Sequence, residues 1–486
     1  MYNGAHLTPT METRGRALID FRCGGAMRRL LNIVVLLVIS SVVVLAQSSR
    51  PAEHWVGAWS TALMAPPQPG VPAGRGQAPP AVAAVQPSPV AQPQLPASAA
   101  PPQGQPAAAP AGAPSAAPPP VRNFNNQTLR LIVHTTLGGG SLRVVLSNAF
   151  GTAPLVVGAA HVALRDKDAD IVPQSDRALS FGGSASTALP AGALIISDPV
   201  NLSLPPAADL VVDLYVPGDT AASGSPVTMH TAALQTSYVS SSGNYAGAHT
   251  FPIATTTASW FLLARVEVAA PPAAGAIVAI GDSITDGARS TPNTNNRWPD
   301  LLAKRLAQAA GPRMAVLNAG IGGNRVLLDN TGPNVLARFD RDVLTQTGVT
   351  HVIVLEGIND IGQGRANPLP SGADLIAAHR QLIARAHARG LTIYGATLTP
   401  FEGAAYWTPE GEAKRAALNE WIRTNKEYDG VIDFDAAVRD PNQPTKFLTQ
   451  YQSGDNLHPS DAGYQAMANK IDLSLFGVKG GPASTR

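Results

Sequence analysis

Near residue 270 the hydrophobic pattern of the chain changes period, which divides it into two kinds of architecture. Upstream, apolar residues alternate roughly at period two over 128–133 and 141–146, and further strand-like runs follow at 155–164, 193–204, 209–216, 235–239 and 260–268. The aromatic-rich segment His54 to Ser60 has the weight of one more strand. No 3.6-period stretch of helical length interrupts these runs, so residues 47–271 read as an all-β sandwich, jelly-roll-like. Gly138-Gly139-Gly140 stands between 128–133 and 141–146 and predicts that these two strands form a hairpin. A linker, Ala269-Ala270-Pro271-Pro272-Ala273, closes the region.

Downstream, residues 272–486 alternate strand and helix. Strands are expected at 276–280, 314–318, 351–355, 391–397 and 431–434, and helices at 297–308, 371–389, 409–424 and 460–474. Ser371 can cap a helix that Gly390 ends, and Thr408-Pro409 has the Ncap–N1 order that opens another. Repeated βα units imply a five-stranded parallel sheet covered on both faces, an α/β three-layer domain. Ligands of such sheets bind beyond the carboxyl ends of the strands.

The ends and the insert carry other information. Met27-Arg28-Arg29, the apolar run 30–45 and the small residues before 47 predict a signal peptide over 1–46, and hence a secreted or periplasmic protein. An uncleaved N-terminal anchor is the alternative. The one cysteine, Cys23, precedes the apolar run, so the exported chain would hold no disulfide and no thiol nucleophile. Residues 65–121 form a Pro/Ala-rich insert. Eighteen of the 43 prolines fall between 61 and 120, with Arg75 the single charge and no aromatic residue. Such a composition cannot offset its ordering entropy, so the insert is expected to be disordered. A net charge of +2 gives no field that would favour nucleic acid, and no stable membrane partner is expected after signal cleavage.

Four segments carry chemistry. Gly281-Asp282-Ser283 follows the strand 276–280 and presents a hydroxyl at a strand-to-helix turn. A serine is a weak nucleophile until a base takes its proton. His458, in Asp455-Asn456-Leu457-His458-Pro459, is the candidate base, and Asp455 lies close enough to orient its ring. A tetrahedral intermediate also needs donors for its oxyanion. Gly323, in Asn318-Ala319-Gly320-Ile321-Gly322-Gly323-Asn324, can give a backbone N–H. Asn359, in Glu356-Gly357-Ile358-Asn359-Asp360, can give its side-chain amide, and Ser283 its own N–H. Singly, each residue has an ordinary use as a cap, a turn or a surface group. Asp282 and Asp286 are expected to hold the turn through backbone hydrogen bonds. Arg325 and Trp298 could line the substrate cleft or be a surface arginine and a core tryptophan. His379 and His387 read as solvent-facing. The histidines and carboxylates show no metal-ligand spacing, so neither metal nor cofactor is expected.

In this order, the four segments resemble the signature blocks of the SGNH (GDSL-type) serine hydrolases, over roughly 272–475. The resemblance implies an SGNH-type fold and a Ser283–His458–Asp455 mechanism with Ser283, Gly323 and Asn359 as the oxyanion hole. Asp455 is the less secure member, because some relatives work with a Ser–His pair. The implied activity is carboxylic ester hydrolysis on a small-molecule or polysaccharide ester, with short acyl groups such as acetyl favoured. A lysophospholipase or lipase-type activity is an alternative, as is a non-catalytic secreted carbohydrate-binding protein.

Overall fold

The strands upstream of residue 270 sort into two larger antiparallel sheets and two short two-stranded ones, Leu155–Val157 with Thr187–Leu189 and Met229–His230 with Trp260–Phe261. The computed structural model describes residues 53–66, 123–329, 331–362 and 369–478. The predicted signal peptide lies outside these residues, as does the Pro-rich insert apart from its first two residues. The chain divides into two compact units, Met1–Glu53 and His54–Arg486; of the first, only Glu53 is described, and all that follows concerns the second.

One sheet runs in the order Trp55–Ser60, Leu263–Ala269, Gly139–Ser147, Leu194–Ile196, with Val200–Leu204 also paired to Gly139–Ser147. The other runs Ile253–Thr257, Ser237–Ser242, Gln127–His134, Asp209–Val216, Ala159–Leu164, Arg177–Ala178. Alternation decides the faces. Leu129, Leu131 and Val133 enter one core with Leu142, Val144 and Leu146 of the first sheet. Ile132 points the opposite way, to a separate cluster with Val211, Tyr238 and Phe251.

The predicted hairpin is not formed. Gln127–His134 pairs with Asp209–Val216 and Ser237–Ser242, while Gly139–Ser147 lies in the other sheet. Period-two alternation tells which face a strand buries, not which strand it pairs with. The connection is also anchored: Thr135 N–H donates to Ala208 O (2.9 Å) and Thr136 N–H to Ala58 O (2.8 Å), which carries the chain from one sheet to the other.

Beyond residue 274 the sheet is parallel throughout, in the order Met314–Gly320, Gly275–Gly281, Val349–Leu355, Thr392–Ala396, Gly430–Ile432. Gly275–Gly281 is buried along its whole length, as expected for a central strand covered on both faces. Helix Trp298–Gln308 packs beside Asp461–Lys470, and Gly372–His387 beside Pro409–Thr424, which completes a three-layer α/β arrangement. The caps are those expected. Ser371 forms a reciprocal capping box with Asp374, and Thr408 accepts from Gly411 N–H ahead of Pro409. Short helices at Ser283–Asp286, Val335–Phe339, Ile358–Gly362 and Phe434–Val438 are additions to the expected set, because one turn leaves no periodic signature.

The antiparallel sheets and the α/β layers share one apolar cluster. Gly57 N–H donates to Thr347 O (2.9 Å), and Thr136 Oγ1 both accepts from Val316 N–H (3.0 Å) and donates to Val316 O (3.2 Å).

Candidate active site

Gly275–Gly281 has Met314–Gly320 on one side and Val349–Leu355 on the other. The strand order therefore reverses at its carboxyl end, where the two connections leave in opposite directions and open a crevice. Ser283 stands there, at the first position of a one-turn helix capped by Asp282, whose carboxylate accepts from Ile284 N–H (2.9 Å). The helix stops at Gly287 in the left-handed conformation. Ser283 is 8% exposed, so its hydroxyl is held rather than free to turn in solvent.

His458 reaches this serine from a loop 175 residues away. Its Nε2 lies 2.9 Å from Ser283 Oγ, and its Nδ1 lies 2.7 Å from Asp455 Oδ2. The other carboxylate oxygen, Asp455 Oδ1, accepts the backbone N–H groups of His458 (2.9 Å) and Leu457 (3.0 Å). Partial burial pushes the Asp455 carboxyl up. The His458 backbone N–H, its ring and the Leu457 N–H outweigh this and hold the group down to about 2. An ionised carboxylate on Nδ1 fixes the tautomer that leaves Nε2 as the acceptor from Ser283.

The groups expected to form the oxyanion hole follow strands that end at the same edge of the sheet. Gly323 has φ +76°, a conformation that favours glycine. Asn359 is 1% exposed and its Nδ2 donates one hydrogen to Asn324 O (2.9 Å), which leaves the second N–H to donate elsewhere. Tyr406 OH approaches Asn359 Oδ1 at 3.4 Å, which settles the orientation of the amide. Asp360 accepts from Val326 N–H (2.9 Å) and Leu327 N–H (3.0 Å), tying the glycine-rich loop to the Asn359 helix.

The floor of the site is charged and buried. Arg338 donates to Gly281 O (3.0 Å), Ala319 O (2.7 Å), Asn324 Oδ1 (3.0 Å) and Asp342 Oδ2 (3.1 Å), pinning two strand ends and the glycine-rich loop together. Asp282 Oδ2 and Glu356 Oε2 find no hydrogen-bond partner among the described residues. Burial pushes the Asp282 carboxyl up to about 7 despite the Ile284 N–H, and burial together with the Asp282 charge pushes Glu356 well above the carboxylate range. Burial likewise raises Asp360 to about 6. Protonation removes the cost of burying unpaired negative charge directly behind the serine.

Residues 279–466 match the model of the GDSL-like lipase/acylhydrolase family. The chain carries a GDSL-type hydrolase domain. Ester hydrolysis is the general activity of that family. Solved structures resemble part of the chain. A catalytic mutant of an acetylxylan esterase from Geobacillus stearothermophilus is 21% identical, over 42% of this chain and 95% of its own, at TM-score 0.33. The native aryl esterase of M. smegmatis is 15% identical over 42% and 100%, at TM-score 0.34. A carbohydrate acetylesterase family member from Sinorhizobium meliloti is 15% identical over 41% and 97%, at TM-score 0.33. A comparison with curated proteins finds no match.

Within the GDSL-type domain, two histidines that read as solvent-facing part company. His387 is exposed beside Asp429. His379 is fully buried, with Nδ1 2.7 Å from Tyr428 OH and Nε2 3.3 Å from Glu356 O, and burial depresses it to about 4. The signal was present: Leu375, Ala378, His379, Leu382, Ile383 and Ala386 form one helical stripe, and all of them are buried. Trp298 is a core residue packed on Phe434 (5.2 Å between centroids). Arg325 is 4% exposed, feels the charges of Asp360 and Tyr406, and its Nε and Nη2 find no hydrogen-bond partner among the described residues. Sequence reading missed Arg338, Tyr406 and His230, which have no local pattern to announce them. Among the described residues, no group of three or more His, Cys, Asp and Glu side chains is placed to hold a metal ion.

Proposed function

We propose that this chain is an exported serine ester hydrolase acting through Ser283, His458 and Asp455, with an acyl-enzyme intermediate. The observation that carries the reading is the continuous relay Ser283 Oγ to His458 Nε2 (2.9 Å), then His458 Nδ1 to Asp455 Oδ2 (2.7 Å). His458 takes the Ser283 proton as Oγ attacks the ester carbonyl, and the imidazolium is stabilised by the Asp455 carboxylate. The developing oxyanion is received by the N–H groups of Ser283 and Gly323 and by the second N–H of Asn359 Nδ2. Collapse expels the alcohol, which takes the proton from His458. Water, deprotonated by the same imidazole, then releases the acid and restores Ser283.

Short acyl groups, acetyl above all, are the proposed substrates, those on polysaccharides included. The support is the composition of the segments that follow the motifs, 290–296 and 363–370, which is polar and Gly/Pro-rich rather than apolar. Export rests on the basic and apolar pattern of residues 1–46. The test is hydrolysis of aryl esters from acetate to palmitate, together with acetylated xylan. Turnover should be highest on acetate and fall steeply with chain length. A maximum at long acyl chains would replace this substrate class with a lipase-type one, and no turnover on any ester would remove the reading.

A further inference from the structure

One side chain of the antiparallel sheets reaches the catalytic end of the parallel sheet. His230 lies on the two-residue strand Met229–His230, paired to Trp260–Phe261 and bridged to Met64. It is 1% exposed and its ring stacks on Trp260 at 5.7 Å. Nδ1 lies 2.7 Å from Ala62 O, and Nε2 lies 3.0 Å from Asp286 Oδ1. Asp286 is the last residue of the turn that begins with Ser283. Its second oxygen, Oδ2, accepts the backbone N–H of Gly322 at 3.1 Å. Gly322 immediately precedes Gly323, whose N–H is the expected oxyanion donor.

The chemistry of these contacts is specific. Both ring nitrogens face acceptors, a carbonyl and a carboxylate, so the ring satisfies both only as an imidazolium that donates twice. Burial and the nearby Arg297 charge oppose protonation. The Asp286 charge and hydrogen bond and the Ala62 carbonyl outweigh them and raise the group from its ordinary value. Asp286 in turn cannot simply relocate. A Cβ on Gly320 would lie 2.3 Å from Asp286 N, so the glycine-rich loop is seated directly on the serine turn. Without His230, the buried Asp286 carboxylate keeps Gly322 N–H and loses the cation that balances it, and protonation or entry of water would weaken its hold on the loop.

We propose that His230 is a positioning residue of the ester-cleaving site, which holds the Gly322–Gly323 peptide in register through Asp286. The antiparallel sheets are then a working part of the catalytic centre. This inference rests on the serine-hydrolase reading above. The loss should be smaller than the 10²–10³ typical of deleting an oxyanion donor outright, because Gly323 N–H remains and only its placement loosens, so about 10- to 100-fold is expected.

The experiment compares the full chain with His230→Ala, His230→Gln and Asp286→Asn on an aryl acetate, with kcat expressed per serine titrated by a fluorophosphonate. His230→Ala should lower kcat about 10- to 100-fold with KM within about threefold, since the defect lies in the transition state. His230→Gln keeps a donor toward Asp286 and should recover most of that loss. Adding His230→Ala to Asp286→Asn should cost little more than Asp286→Asn alone. Titration removes misfolded molecules from the count, and if His230→Ala yields no folded protein, the Gln variant and Asp286→Asn decide. A kcat per titrated serine within about twofold of wild type for His230→Ala, a change carried by KM alone, or fully multiplicative losses would overturn the proposal. Wild-type protein that cleaves no ester would instead remove the serine-hydrolase reading itself.

Discussion

Replacing Asp455 by asparagine should damage the enzyme more than replacing it by alanine, although asparagine is the closer mimic in shape. Asp455 Oδ1 accepts two backbone N–H groups, at 2.9 and 3.0 Å, while Oδ2 faces His458 Nδ1 at 2.7 Å. An asparagine that keeps its oxygen on the two N–H groups turns its NH₂ toward Nδ1. His458 must then accept at Nδ1 and carry its proton on Nε2, where it points at Ser283 Oγ and cannot take the serine proton. The productive tautomer needs the amide flipped, which sets NH₂ against two N–H donors. Two unsatisfied donors cost about 2–6 kcal/mol together, and at about 1.4 kcal/mol per tenfold this is about 30- to 10⁴-fold in rate. The loop is partly open to water, which favours the middle of that range, about 10²–10³. Alanine frees Nδ1 to find water in either tautomer and should lose less, about 10- to 100-fold. The assay is kcat on an aryl acetate, with thermal melting to show that each variant is folded. An alanine variant slower than the asparagine variant would refute the tautomer argument.

Ser283→Ala and His458→Ala should each remove several orders of magnitude of turnover, about 10³ or more, with little change in melting temperature. The double variant should be no slower than either single one, and multiplicative losses would mean that the two do not act together. The raised Asp282 carboxyl has a consequence for stability. Its folded value of about 7 lies above its ordinary 3.8, so the native chain binds a proton there that the unfolded chain releases. Its contribution is complete below about pH 4 and is lost as pH rises through 7, so melting temperature should fall over that window. Asp282→Asn should flatten part of this fall, and an unchanged slope would locate the buried proton elsewhere. Deleting residues 66–120 and joining the ends with a short Gly/Ser bridge should leave melting and aryl acetate turnover near normal, as loop closure depends weakly on length. An unfolded deletion variant would make the segment structural.

The parts of the fold that the sequence reveals are those governed by short-range rules. Buried parallel strands bounded by capped amphipathic helices are legible at Gly275–Gly281 or Gly372–His387, because period, Ncap and stop signals agree there. Ser283, Gly323, Asn359, Asp455 and His458 stand out in the sequence because each lies in a short motif with its own composition, and the fold brings Ser283, His458 and Asp455 within hydrogen-bond distance. Pairing across sheets is different. Whether 128–133 meets 141–146 depends on where Thr135 and Thr136 find acceptors, and Ala208 and Ala58 are remote in sequence. His379 was misread although its stripe was present, because a polar residue on a buried face needs a distant partner, here Tyr428 and the Glu356 carbonyl, to explain it. Arg338 and His230 belong to the same class. Apart from the Arg338–Asp342 pair four residues apart, the contacts that define their roles lie 14 to 168 residues away, and no local pattern encodes such a contact.

The central claim is that Ser283 is the nucleophile, and covalent labelling tests it most directly. The full chain is treated with a fluorophosphonate, assayed for residual aryl acetate hydrolysis, digested and mapped by mass spectrometry. One label per chain on the peptide that contains Ser283, with activity lost in proportion and no label on Ser283→Ala, is the predicted result. Full labelling at another residue, or a Ser283→Ala variant that keeps activity within about tenfold of wild type, would contradict it.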